Sequence, residues 1–400
     1  MKTPNKWLMF TVLLISAIMV GISQLKIAAV LPNVAEMLNV DMTQASLLMS
    51  LFTVAGIALS IPGAAFMTRV GAKPTLLILM ASLALGNILG ALTDSFAVVM
   101  ASRIIEGISY ALIITVGIEL ISIWFADGGQ ATATGIFNTF AAAANFIAMN
   151  ISLAIMNSLG LKALWWIVGA ASVACFVLVL FVVKVSIGTS RQAEGGQVAA
   201  RIPLSEAFRN PAAMVTCVAL LFLSFVLFAF ITCYPQLFAF YQLSQETSNF
   251  YASLNGLFGI PVCIVAGLVI ERTGKPFIVA IIGAIGCILL GCTVPLLAPG
   301  LYVWHVIASA IFPGGLALTS IFIIVPRLAR SPQLIGLTMG ILNTLYYIGV
   351  FASTPVITAL SQNNTNWSLP AFALTGASVG ILICMVIAQG LAKKQEVERE

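Results

Sequence analysis

The sequence predicts an all-α integral membrane protein, with twelve transmembrane helices in two pseudo-symmetric six-helix bundles. Three observations point there. Of the residues, 60% are apolar and only 8% are charged, whereas a soluble domain is roughly a quarter charged. Apolar stretches of about 20 residues recur from end to end, each long enough to cross ~30 Å of hydrocarbon. A backbone in lipid must satisfy its own polar groups, so these stretches are helices. Finally, the chain repeats itself at about half its length.

The repeat centres on a short loop, GAAFMTRVGAKP at 63–74 and GLVIERTGKP at 267–276. Each copy is a knot of cations and glycines between two apolar stretches. Glycine allows the tight turn, and proline opens the next helix. The interval from Pro32 to Arg69 equals that from Pro235 to Arg272. Downstream, Gly135-Ile-Phe-Asn138-Thr139 returns as Gly340-Ile-Leu-Asn343-Thr344. Two homologous halves explain this, and such internal repeats are common in transporter architecture.

The elements follow in order. A first span over 7–31 comes after Lys2 and Lys6; it is longer than a signal-peptide core, so it reads as an uncleaved helix. A polar loop with Glu36 and Asp41 leads to 44–66, and the glycine loop turns the chain into 74–92. Asp94-Ser95 precedes 96–121, Gly128-Gly129 precedes 131–156, and the Lys162 loop precedes 164–183. Residues 1–184 thus form the first bundle. Residues 185–210 hold Arg191, Glu194, Arg201, Glu206 and Arg209, the only long polar segment. They read as a linker with room for a short surface helix at 203–209. The second bundle, 211–400, carries spans at 211–237, 248–270, 276–297, 302–325, 334–360 and 369–391. An even number of spans puts both termini on one side. With that side cytoplasmic, Lys162 alone faces outward and Lys26 and Arg103 lie within spans; the rest of the 18 Lys and Arg face the cytoplasm.

The repeated loop resembles the signature of the major facilitator superfamily, Gly-x-x-x-Asp-Arg-x-Gly-Arg/Lys, which follows the second and eighth helices of its members. Arg103-Ile-Ile-Glu-Gly107 is similar to that family's Arg-x-x-x-Gly signature in the fourth helix. The resemblance covers the whole chain in length, halves and spacing. There are departures. Ala64 stands at the leading glycine, with Gly63 one place early, and Thr68 stands where the family has Asp, although Glu271 keeps the acid in the second copy. The Gly-Pro-rich helix 5 signature of the family's drug exporters is missing; Ala141 to Ala144 and then Asn145 occupy that region.

Several function classes are disfavoured. There is no Gly-x-x-x-x-Gly-Lys-Ser/Thr loop, so ATP is not hydrolysed by that route. A single His makes a His-rich metal site or a Ser-His-Asp triad improbable. The seven cysteines lie in apolar spans without a CxxC pair and read as small core residues, not disulfides or metal ligands. The net charge of +5 is scattered between spans, which does not suit nucleic acid. The expectation is a monomeric, cofactor-free, non-enzymatic protein embedded in a lipid bilayer.

Charges inside spans are expensive and mark candidate function. Lys26 lies ~9 Å and Arg103 ~10 Å below the outer surface at the helical rise, so the two share a layer. The family's first and fourth helices line a central cavity, which by resemblance places both cations across one pocket. Two cations at one depth suit a small carboxylate-like anion, which an Arg binds in bidentate fashion. Lys26 alternatively snorkels to the headgroups, and Arg103 alternatively bonds helix ends as a strut. Glu106, one turn from Arg103, reads either as its neutralising partner or as a proton-coupling carboxylate. Asn138 and Asn145 share a face of helix 5, while Asn343, Tyr346 and Tyr347 share one in helix 11; they serve substrate or helix packing, which Gly336-x-x-x-Gly340 also marks. His305 falls at the repeat position of Arg103, but Tyr302 and Trp304 beside it favour an interfacial belt. Arg69, Gly71, Lys73, Glu119, Glu271, Arg272 and Gly274 read as a cytoplasmic gate, with Glu119 supplying the acid that Thr68 lacks. The expected function is secondary active transport of a small organic anion by alternating access, as proton symport or anion exchange. The alternatives are a multidrug exporter and a non-transporting membrane sensor or scaffold.

Overall fold

The computed structural model describes residues 5–184, 208–328, 332–362 and 366–397, with the side chains at 64, 65, 68, 131, 332–336, 396 and 397 left aside. Most of the expected linker and its surface helix, the side chain of Thr68 and the surroundings of Gly336 lie outside the described residues. Among the described residues all regular structure is helical, and twelve helices are long and apolar enough to cross a membrane. The chain divides into two compact units, Met1–Ala200 and Arg201–Glu400.

In the first unit α1 (Lys6–Leu25) leads through a 3₁₀ turn (Ala28–Val30) into α2 (Leu31–Met37). Then come α3 (Met42–Leu59), α4 (Pro62–Val70), α5 (Ala72–Ala91), α6 (Phe96–Trp124), α7 (Gln130–Phe137), α8 (Phe140–Leu159) and α9 (Ala163–Val182). Capping sets several starts. Asn5 accepts from the Trp7 amide, and Asp41 with Gln44 forms a reciprocal capping box that starts α3 two residues before the expected span. Between α4 and α5, Gly71 has φ 94° and ψ 155°, a backbone state essentially reserved for glycine. The loop copy in the second unit closes on Gly274, left-handed at φ 66°.

Three expected continuous spans are broken. The first is interrupted at Lys26-Ile27, the second at Ser60-Ile61 before Pro62, and the fifth at Asn138-Thr139. Pro32 and Pro62 each sit in the first turn of the new segment, where a missing N–H costs nothing. Within the unit α5 packs on α6 and α9, α3 on α6, and α1 on α8 and α9. Small residues allow these approaches. A Cβ on Gly107 would lie 2.0 Å from the Phe52 carbonyl oxygen, and one on Gly21 would lie 2.5 Å from the Ala144 methyl.

The second unit contains α10 (Pro211–Phe240), α11 (Gln245–Thr273), α12 (Pro276–Thr293) and a 3₁₀ turn (Val294–Leu296). The chain continues as α13 (Tyr302–Ser309), a π-helical segment (Ala310–Ala317), α14 (Leu318–Leu328), α15 (Pro332–Gln362) and α16 (Ser368–Val397). Here α10 packs on α15 and α16, and α12 on α16. Gly349 presses on the Leu221 carbonyl much as Gly107 presses on Phe52. Large apolar side chains such as Phe181, Leu268 and Phe372 point outward. Water would penalise such a surface, but hydrocarbon accommodates it.

Candidate functional site

Lys26, Arg103 and Glu106 meet inside the first unit, and each is fully buried. Among the described residues no other Asp, Glu, Lys or Arg is buried. The cluster has a backbone origin. The carbonyl groups in the last turn of a helix have no donor of their own. At the end of α1, Arg103 supplies donors: Nη1 bonds the Ser23 carbonyl at 2.8 Å and Nη2 bonds the Gln24 carbonyl at 3.0 Å. A cation at this end also meets the negative pole of the helix. Nε of Arg103 bonds the Leu48 carbonyl of α3 at 3.0 Å, and the guanidinium lies 4.5 Å from the Phe52 ring centroid. One side chain of α6 thus ties α1 to α3.

Glu106 is loaded on one side. Its Oε2 accepts from Arg103 Nη1 at 2.6 Å, Lys26 Nζ at 3.1 Å and Ser23 Oγ at 2.6 Å. Its Oε1 is buried without a partner. Three donors on one oxygen call for an ionised carboxylate. Gly86 leaves room for it, since a Cβ there would lie 2.6 Å from Glu106 Cγ.

Lys26 has its own ring of acceptors. Nζ donates to Asn87 Oδ1 and Glu106, lies 3.5 Å from Ser23 Oγ, and sits 5.1 Å from the Trp165 ring centroid. Asn87 is oriented by its amide, which donates to the Leu83 carbonyl at 2.8 Å and to Ser23 Oγ at 3.2 Å. Lys26 therefore does not snorkel; its ammonium is held among α1, α5, α6 and α9. With all three groups ionised, two cations face one carboxylate and the cluster carries one net positive charge.

Other expected positions stand apart. Asn138 is exposed at the helix break, whereas Asn145 is buried with Oδ1 unpartnered, so the two do not share an environment. Asn343 is half-buried and Tyr347 is buried on α15, with the Tyr346 and Tyr347 rings 5.4 Å apart. Arg69, Glu271 and Arg272 are exposed, Glu119 is half-buried, and Lys73 donates to the Leu180 carbonyl at 2.9 Å. Lys162 pairs with Asp94 at 2.7 Å in the exposed links that precede α9 and α6, where such a pair contributes little.

The interfacial reading of His305 is corrected. Trp304 does point outward, but His305 and Tyr302 are buried. The ring Nε2 donates to the Leu290 carbonyl at 3.2 Å, so Nδ1 is the acceptor for Tyr234 Oη at 2.9 Å. Phe230, Tyr234 and Phe238 stack along α10 beside it. The cause is side-chain spacing: residues four apart on α10 form a continuous aromatic wall against which the imidazole packs.

The sequence reading missed Asn87, Ser23 and Trp165. Asn87 carried the same signal as Asn138 and Asn343, an amide in the middle of an apolar span. Trp165 gave no such signal, because its position beside Trp166 resembles a membrane-edge pair.

The second expected signature, Arg103 to Gly107, is therefore where α1, α3 and α6 are joined. A family model described as Major Facilitator Superfamily matches residues 10–354, taking in both loop copies and the buried cluster. Its members are transporters. This chain is an integral multi-pass membrane protein that belongs to the Major Facilitator Superfamily.

Proposed function

We propose that the chain carries a small organic anion across the plasma membrane by alternating access, with both termini cytoplasmic. The observation supporting an anion is the buried excess of positive charge formed by Lys26, Arg103 and Glu106. A buried net charge in low dielectric projects a strong potential, and an anion is the ligand that potential favours. Arg103 already has protein acceptors at all three of its nitrogens, so its part in this reading is to set the potential and brace α1. Asn343 and Tyr347 are offered as hydrogen-bonding candidates. Arg69, Gly71, Lys73, Glu119, Glu271, Arg272 and Gly274 are offered as parts of the cytoplasmic gate. The energy source is a gradient of protons or of a counter-anion.

A ligand screen tests this. Purified protein is melted with mono- and dicarboxylates, inorganic anions and lipophilic cations, since a ligand at a hundred times its Kd stabilises the folded state by about 2.7 kcal/mol. Carboxylates are expected to raise the melting temperature and to be taken up by proteoliposomes. Stabilisation by lipophilic cations alone would replace the anion reading with a drug exporter. No stabilisation or uptake with any class would favour a sensor or scaffold.

A further inference from the structure

The buried triad holds one more charge than it balances, and an uncompensated charge at that depth is costly. Only some protonation changes relieve it. Arg103 cannot lose its proton. Protonating Glu106 removes the only carboxylate and leaves two facing cations. Removing a proton from Lys26 brings the cluster to zero. We infer that Lys26 is the proton-carrying residue of this transporter, and that Glu106 stays ionised as its fixed counter-charge.

The hydrogen-bond geometry allows both states. As an ammonium, Lys26 donates to Asn87 Oδ1 and Glu106 Oε2 and lies over the Trp165 ring, whose face attracts a cation. As a neutral amine it keeps two N–H groups for the same two acceptors. The lone pair then faces Ser23 Oγ, the longest of its contacts at 3.5 Å. Only that weakest contact is given up, so the amine changes charge without losing its place. Glu106 lacks this freedom: a proton on Oε2 would oppose three donors, and Oε1 has no acceptor to receive a proton's bond.

No other charge near Lys26 interferes. Besides Arg103 and Glu106, the charges on the elements around it stand apart: α3, α8 and α9 carry no Asp, Glu, Lys, Arg or His, Glu119 lies several turns beyond Glu106 on α6, and Lys6 lies at the opposite end of α1. Lys73 lies at the far end of α5, bonded to Leu180, and Glu36 on α2 is exposed. Lys26 also stands where α1 ends and the 3₁₀ turn begins, so its charge acts at a backbone break.

The inference deepens the anion-transport reading and rests on it for its consequence. A protonated Lys26 restores the positive charge that favours an anion, so proton and anion load together, each tightening the other reciprocally. The proton step itself is testable without a substrate. Tryptophan emission of the purified full chain is titrated between about pH 5 and 10, a window spanning depressed and ordinary lysine values. Wild type is expected to show a step that disappears in Trp165→Phe and in both Lys26→Met and Lys26→Arg. The Arg variant keeps the charge but cannot titrate, and guards against loss of fold in the Met variant. No step in wild type, or a step that persists in Lys26→Arg, overturns the inference. Failure of the carboxylate screen with the step intact would instead remove the anion and leave the proton site.

Discussion

Replacing Arg103 by Lys separates charge from geometry at the buried cluster. The guanidinium makes four bonds with three nitrogens: to Leu48, Ser23 and Gln24 carbonyls and to Glu106. A lysine ends in one nitrogen, and that nitrogen cannot reach carbonyls on α1 and α3 as well as Glu106. If two of the four bonds are lost, each leaving a buried group unsatisfied at ~1–3 kcal/mol, the protein is destabilised by about 2–6 kcal/mol. The charge toward Glu106 is retained, so an account based on charge alone predicts little change. Reversible unfolding in mild detergent, followed by circular dichroism, measures the difference. The α1–α3–α6 clamp would be refuted if Arg103→Lys stayed within about 0.5 kcal/mol of wild type, the range of an inconsequential substitution.

Two further outcomes follow from backbone geometry. Gly107→Ala drives a methyl to 2.0 Å from the Phe52 carbonyl oxygen, so α3 and α6 must part at about 1–3 kcal/mol, which outweighs a helix-propensity gain of at most about 1 kcal/mol; Gly135→Ala on α7, with nothing near its added carbon, keeps that gain without the clash and should stabilise by up to about 1 kcal/mol in the same unfolding assay. The two loop glycines should respond differently to asparagine. Gly274 is in the left-handed region that Asn tolerates, whereas Gly71 at φ 94° and ψ 155° is not, so Gly71→Asn should cost about 1–3 kcal/mol and Gly274→Asn clearly less, read as melting temperatures in detergent.

The spans were legible because solvation in lipid constrains them residue by residue: length and apolarity suffice, and no partner needs to be known. Lys26, Arg103 and Glu106 were legible for the complementary reason, since a charge in such a stretch is anomalous wherever the chain folds. Their partners were not, because they come from other helices. Nothing local at Ser23 or Gln24 announces that their carbonyls are capped by a side chain about eighty residues away. The break after Leu25 has the same origin. Pro32 hinted at a boundary, yet Pro235, Pro261 and Pro355 lie inside continuous helices, so a proline alone does not locate one. His305 was misplaced because Tyr-Val-Trp-His reads identically at a membrane edge and against an aromatic wall. Only the four-residue spacing of Phe230, Tyr234 and Phe238 on another helix distinguishes them.

The π-helical segment Ala310–Ala317 has a consequence for how this chain tolerates changes in length. Bonds there skip one residue more than in an α-helix, so the segment carries surplus chain relative to its rise. Pro313, which has no N–H to give, sits inside it beside Gly314 and Gly315. Elsewhere in a span, deleting one residue would turn every side chain beyond it by about 100° around the axis, since 3.6 residues make a turn. Within 310–317 the surplus residue can be removed and the helix closed in ordinary α geometry. Tyr302–Ser309 and Leu318–Leu328 would then keep their present faces toward α11 and α12. The tenth span thus contains a slack link, a short stretch where the chain can lose a residue and retain its register.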